Sequence, residues 1–136
     1  MAKKILIVDD DPDAILFLST VLKDQGYATV EARDGQEGWE RLKVERPDLV
    51  LLDLMMPRKS GISFLTDMKQ EESLRRVPVI MVTGVAGETG IELNAFFKGG
   101  QEGEKDPSPF PLKGYIEKPI DPDRLLLMIK EVIGQP

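Results

Sequence analysis

Short apolar runs alternate with helical patterns along this chain, and Gly, Pro and Asp mark the junctions. The first run is Lys4-Ile5-Leu6-Ile7-Val8, whose unbroken apolar character predicts a strand buried on both faces over residues 4–8. Asp11-Pro12 follows as a helix start, with Asp11 as N-cap and Pro12 at the first helical position. Ile15, Leu18, Val21 and Leu22 recur at helical spacing through residue 25, and Gly26 ends that helix. Residues 27–31 read as a second, shorter strand. Residues 35–46 form a second helix with Trp39 and Leu42 inward, closed by Pro47. Residues 48–53 are a third strand, and 60–71 a third helix with Ile62, Leu65 and Met68 on its apolar face. Residues 77–83 are a fourth strand and 114–117 a short fifth. Asp121-Pro122 repeats the start signal and opens a last helix to residue 133. Leu125, Met128, Ile129, Val132 and Ile133 are its core stripe. Leu126 and Leu127 fall off the stripe, as surface leucines or part of a partner face.

Strands alternating with helices predict right-handed crossovers, hence a doubly wound α/β fold with helices on both faces of a parallel sheet. The expected strand order is 2-1-3-4-5, with a ligand-binding switch point between strands one and three. Residues 84–113 break the pattern. Gly84, Gly87 and Gly90 weaken any helix start there. Ile91 to Phe97 fits a helix, and Lys98 to Lys113, rich in Gly, Pro and charge, reads as a loop. No internal repeat is visible, and 136 residues fit one domain spanning 1–136.

Composition narrows the chemistry. A formal charge of -6 argues against nucleic-acid binding, which needs clustered Lys and Arg. The chain has no Cys and no His. That excludes a disulfide framework, a thiol nucleophile, a Ser-His-Asp site and histidine metal ligation. The N-terminal apolar run is too short for a signal peptide, and no stretch approaches transmembrane length, so a cytoplasmic location is expected.

The candidate chemistry sits where the strands end. Asp9 and Asp10 follow the first strand, Asp53 ends the third, Thr83 ends the fourth, and Lys118 follows the fifth. The carboxyl ends of parallel strands line one edge, so this order predicts one site. It would hold a carboxylate cluster, a hydroxyl and an ammonium around a metal and a phosphoryl group. Two adjacent carboxylates repel unless a cation lies between them, and magnesium suits such hard oxygen donors. The plainer reading makes Asp9 to Asp13 a simple helix cap. Asp11 takes that role, and Asp13 favours the positive end of the helix dipole. Asp53, independently ending the neighbouring strand, sets Asp9 and Asp10 apart from it. Thr and Lys each have bland readings alone; their places at strand ends four and five make the difference.

Asp53 stands in Leu-Leu-Asp-Leu-Met-Met-Pro-Arg-Lys-Ser-Gly, with Pro57 and Gly61 at telling offsets. With Asp9-Asp10, Thr83-Gly84 and Lys118-Pro119, this string resembles the receiver domain of two-component response regulators. The resemblance covers nearly the whole chain except about residues 84–113. It implies a flavodoxin-like fold and Mg2+-dependent phosphorylation of Asp53 by a sensor histidine kinase or phosphotransfer protein. It implies direct metal ligation by Asp10, Asp9 acting through water, and ligands from Asp53 and the Met55 backbone carbonyl. Thr83 would donate its hydroxyl to one phosphoryl oxygen and Lys118 would pair with another, next to a cis-proline turn at Pro119. Tyr115 is either the switch aromatic of the family or a half-buried tyrosine packing on a neighbouring helix. Thr83 and Lys118 lie 35 positions apart. Receivers usually space them by about 22, so about 13 residues look inserted before strand five and the fourth helix region is atypical.

The leading reading is a phosphorylation-controlled conformational switch, not an enzyme beyond its self-catalysed transfer and autodephosphorylation. Its downstream partner is a protein, no membrane or nucleic acid is involved, and homodimerisation stays open. The alternative is a haloacid-dehalogenase-type phosphatase with Asp9 as nucleophile, since Asp9-Asp10-Asp11 contains that family's Asp-x-Asp after a strand. The short chain, the idle Asp53 and the following Pro12-Asp13 oppose it. A third reading is a degenerate receiver acting only through protein contacts, which the intact five-residue site opposes.

Overall fold

The computed structural model describes residues 2–53, 61–83 and 112–136, without the side chains of Ile62, Thr83 and Leu112. Met55, Pro57 and the readings on residues 84–111, Phe96, Phe97 and Phe110 among them, lie outside the described residues. Five strands, β1 (Lys4–Val8), β2 (Ala28–Ala32), β3 (Leu49–Asp53), β4 (Val79–Thr83) and β5 (Leu112–Glu117), form one parallel sheet. Its order is β2-β1-β3-β4-β5, the order expected from the sequence. Around it the described residues contain helices α1 (Pro12–Asp24), α2 (Gly35–Glu45), α3 (Gly61–Gln70) and α4 (Pro122–Ile133). This is a flavodoxin-like, doubly wound arrangement.

Strand alternation divides the core in two. Leu6, Val8, Val50, Leu52, Val79 and Met81 pack with Leu42 of α2 and with Phe64, Leu65 and Met68 of α3. Ile5, Ile7, Leu49, Leu51, Ile80 and Val82 pack on the other face with Ile15, Leu18 and Leu22 of α1 and Leu125 and Ile129 of α4. The central strands are buried on both faces, which is why they read as continuous apolar runs.

Local signals set the helix ends. Asp11 caps α1 and Asp121 caps α4, each accepting from the amide two residues on, with a proline in the first turn. Gly26, at φ 100°, supplies the left-handed residue that turns the chain out of α1 into β2. α2 starts at Asp34, whose side chain accepts from the Glu37 amide at 2.8 Å, while the Glu37 carboxylate accepts from the Arg33 amide at 2.7 Å. It stops at Arg46, which takes a left-handed conformation before Pro47.

Four sequence readings need adjustment. The fifth strand begins at Leu112, so the end of the supposed loop before it is strand. Val79 pairs with Leu112 and Ile80 with Gly114, so Lys113 is accommodated by a register shift that sequence composition does not show. The second strand is Ala28–Ala32, one residue later than expected, because the amide of the buried Tyr27 turns back to the Leu22 carbonyl of α1. Leu126 is half-buried against the α1/α4 core, and only Leu127 stands out into solvent. Phe64, absent from the expected stripe of α3, is among the largest fully buried side chains.

Candidate functional site

The site lies at the carboxyl edge of β1, β3, β4 and β5. Asp9 follows β1, and its amide still donates to the Ala32 carbonyl at 3.1 Å, so the strand ladder holds its backbone in place. Asp53 is the last residue of β3 and pairs with Val82 of β4. Both stand two positions beyond a side chain of the α1/α4 core, Ile7 and Leu51, so strand alternation turns them to the same side of the sheet edge. Asp9 is 1% exposed and Asp53 6% exposed. Asp10, of opposite parity, is exposed.

Asp9, Asp10 and Asp53 offer carboxylate oxygens that lie within 4.8 Å of one another. Lys118, two positions beyond Ile116 of the same core, reaches over them from the end of β5. Its Nζ donates to Asp9 Oδ2 at 3.2 Å and stands 4.0 Å from Asp53 Oδ2. Burial acts to lower the Lys118 pKa. The negative charges of Asp53 and Asp9, the hydrogen bond to Asp9 and the charge of Asp11 outweigh it and hold the ammonium above its ordinary value. The Lys118–Pro119 peptide is cis, as the resemblance implied.

The other Asp9 oxygen is also engaged. Oδ1 accepts from the Asp11 amide at 2.9 Å. The sequence reading assigns Asp11 to capping alone; the i to i+2 spacing of aspartates is the signal for this added bond.

Of the sequence-selected residues, the structure therefore brings together Asp9, Asp10, Asp53 and Lys118. Thr83 closes β4 at the same edge, opposite Glu117; its side chain and all of Met55 lie outside the described residues. Tyr115, in β5 opposite Met81, is half-buried and packs on the α2/α3 core. Three hard oxygen donors with one lysine as local counter-charge suit a small dication better than a soft metal. Among the described residues no helix is long and apolar enough to cross a membrane.

Comparison with known proteins gives a consistent answer. A family profile described as the response regulator receiver domain matches residues 5–100. The polar-differentiation response regulator DivK of Brucella anthropi is 31% identical over 134 residues, covering 98% of this chain and 98% of that protein. The phosphate regulon transcriptional regulatory protein PhoB of Escherichia coli is 35% identical over 133 residues, covering 98% of this chain but 52% of its own length. The chain thus spans about half of that relative. The receiver domain of sensor histidine kinase PA1611 from Pseudomonas aeruginosa was solved with magnesium in its active site cleft. It superposes with a TM-score of 0.81 at 24% identity, covering 99% of this chain and 100% of that one, a likeness of fold.

Proposed function

This chain belongs to the response regulator receiver family, and on that premise we propose that Asp53 takes the phosphoryl group, with Lys118 and Thr83 as its partners. Membership makes the chain a phosphoryl-accepting receiver of two-component signalling, a switch rather than a classical enzyme, and does not favour the phosphatase alternative at Asp9. The observation supporting Asp53 is its burial beside Asp9 and Asp10, under the Lys118 ammonium.

In the proposed step an Asp53 carboxylate oxygen forms a bond to phosphorus as the donor's own bond to phosphorus breaks, and the bonding pair leaves with the donor. Lys118 turns from Asp9 toward the arriving phosphoryl oxygens, a short move given its distances of 3.2 Å and 4.0 Å to the two carboxylates. Thr83 donates to another oxygen. Asp9, Asp10 and Asp53, with the Met55 carbonyl, would hold Mg2+, which when bound offsets the charge of carboxylates and phosphoryl group at close range. The magnesium of the Pseudomonas receiver supports this choice of ion. The donor is a sensor histidine kinase or a phosphotransfer protein. An apolar groove of about 380 Å³ lies beside Lys118, walled by Ala14, Phe17, Leu18, Pro119 and Ile120, and is open to an apolar surface of the donor. Beyond this self-catalysed transfer and autodephosphorylation, in which water takes the phosphoryl group as inorganic phosphate, we assign no catalysis. The output is a change of conformation, with Thr83 and Tyr115 as the moving parts, read by a downstream protein. Residues 1–136 act as one receiver unit.

Incubation with Mg2+ and acetyl phosphate, followed by mass spectrometric mapping, tests the assignment. The label is expected on Asp53 and lost in Asp53→Asn. Label on Asp9, or undiminished label in Asp53→Asn, would sink it.

A further inference from the structure

The string Asp-Pro-Asp occurs twice at the sheet edge, at residues 11–13 and 121–123. Both copies start a helix with nearly the same backbone. Asp11 has φ -93° and ψ 112°, and Asp121 has φ -80° and ψ 116°. In each the aspartate side chain accepts from the amide two residues on, at 3.0 Å in α1 and 3.1 Å in α4. In each its carbonyl accepts the first helical bond, from Ile15 at 3.1 Å and from Leu125 at 3.0 Å. The copies differ in what precedes them. Two residues before Asp121 stands Pro119, which offers no side-chain acceptor. Two residues before Asp11 stands Asp9, whose Oδ1 takes the Asp11 amide at 2.9 Å.

From this contrast we propose that Asp11 is a positioning residue for the Asp9 carboxylate, in addition to capping α1. The two i to i+2 bonds run head to tail, Asp13 amide to Asp11 and Asp11 amide to Asp9. The Asp11 peptide is therefore gripped on its helix side by the cap and by Pro12, and cannot turn its N–H away without breaking the cap. With Oδ1 pinned, the Asp9 carboxylate presents Oδ2 to the cluster, where Lys118 now meets it. The first turn of α1 thus sets which way a buried carboxylate of the site faces. The inference rests on the metal-binding reading given above, and its test is arranged to separate the two.

The 136-residue chain with Asp11→Ala, Asp11→Asn, Asp11→Ser and Asp121→Ala should be compared. Asn and Ser keep a side-chain acceptor for the cap, Ala does not, and all three remove the Asp11 charge. Two readouts apply. In metal-free protein the Asp11 amide should be protected from hydrogen exchange in the parent, Asn and Ser forms, and about fivefold less so in Asp11→Ala, the factor expected for loss of a cap. In a Mg2+ titration followed by amide NMR shifts, Asp11→Ala should bind about fivefold more weakly than Asp11→Asn or Asp11→Ser. Asp121→Ala, which loses the same kind of cap, should bind as the parent does. Equal weakening by Ala, Asn and Ser would show a charge effect and overturn the proposal. Equal weakening by Asp121→Ala would show general loosening and overturn it too. An unprotected Asp11 amide in the parent overturns it without reference to metal. A protected amide in a protein that binds no Mg2+ overturns the metal-binding reading and leaves the positioning role standing.

Discussion

Gly38 shows how tightly the site's foundation is packed. It lies inside α2, where alanine would ordinarily be favoured by about 1 kcal/mol. A Cβ at this position would lie 2.8 Å and 3.0 Å from the two γ-methyls of Val8 and 3.2 Å from Phe64 Cε2. Carbon pairs prefer about 3.5–4.0 Å, so every contact is short by several tenths of an ångström or more. Neither neighbour has room to withdraw, since Val8 is 1% exposed, branched and in a central strand, and Phe64 is fully buried. Forcing an extra methyl into such a core costs about 1–3 kcal/mol. The clash therefore outweighs the propensity gain, and Gly38→Ala should destabilise by about 1 kcal/mol net, or a midpoint lower by about 3–5 °C. Val8 directly precedes Asp9, so Mg2+ affinity should fall as well. Thermal and urea unfolding of Gly38→Ala, Val8→Ala and the double variant would test this, since Val8→Ala removes the two methyls in question. The double variant should be less destabilised than the sum of the singles by about 1–2 kcal/mol, the Val8 share of the clash. A raised midpoint in Gly38→Ala, or strict additivity, would refute the reasoning.

Three further outcomes are expected. Thr29 Oγ1 is buried without a hydrogen-bond partner among the described residues, so the isosteric Thr29→Val should raise stability by about 1 kcal/mol in urea unfolding; a loss would mean the hydroxyl is satisfied after all. Tyr27 is 3% exposed and donates to the Gly134 carbonyl at 3.0 Å, and burial holds its pKa above the ordinary 10.0. Below 10.0 folded and unfolded chains both keep the phenolic proton; above it the unfolded chain releases it first, so stability drains away as pH rises through the folded value. Lys118 loses stability in the same direction above its own ordinary value, so the Tyr27 part is read as the difference between parent and Tyr27→Phe across about pH 9 to 11; parallel curves would contradict it. Finally, Lys118→Met should bind Mg2+ on the order of tenfold more tightly, because a charge facing Asp9 and Asp53 is removed, and yet accept phosphoryl groups more slowly; weaker metal binding would reverse the assigned role of the lysine.

What was legible in the chain follows from the range of the forces involved. Strands buried on both faces must be apolar throughout, so Ile5–Val8, Leu49–Leu52 and Val79–Val82 announced themselves, and the polar residue after each run marked the sheet edge. The Asp-Pro caps are local and were read correctly at Asp11 and Asp121. Features set by a partner strand or helix were not legible. The start of β5 at Leu112 depends on pairing with Val79, and Lys113 fits only because the register shifts there. Phe64 escaped notice because Ile62, Leu65 and Met68 alone completed a helical stripe, while its place is fixed by Trp39, which meets it edge-on at 5.5 Å, and by the gap at Gly38.

The same division runs through the site. That Asp9, Asp53 and Lys118 would meet followed from their places at strand ends, which line one edge of a parallel sheet. How they meet did not. Lys118 and Asp9 are 109 positions apart, and the resemblance implied a lysine paired with phosphate and an Asp9 reaching metal through water. In the structure the ammonium lies on Asp9 and nearer to it than to Asp53. The cause is charge: a buried carboxylate at 1% exposure needs a cation, and Lys118 is the one the topology delivers. A lysine already drawn to the cluster needs only to exchange one oxyanion for another in the proposed phosphorylation of Asp53. Its place on Asp9 is thus the starting position of the proposed step, and the two distances of 3.2 Å and 4.0 Å measure how little that exchange requires.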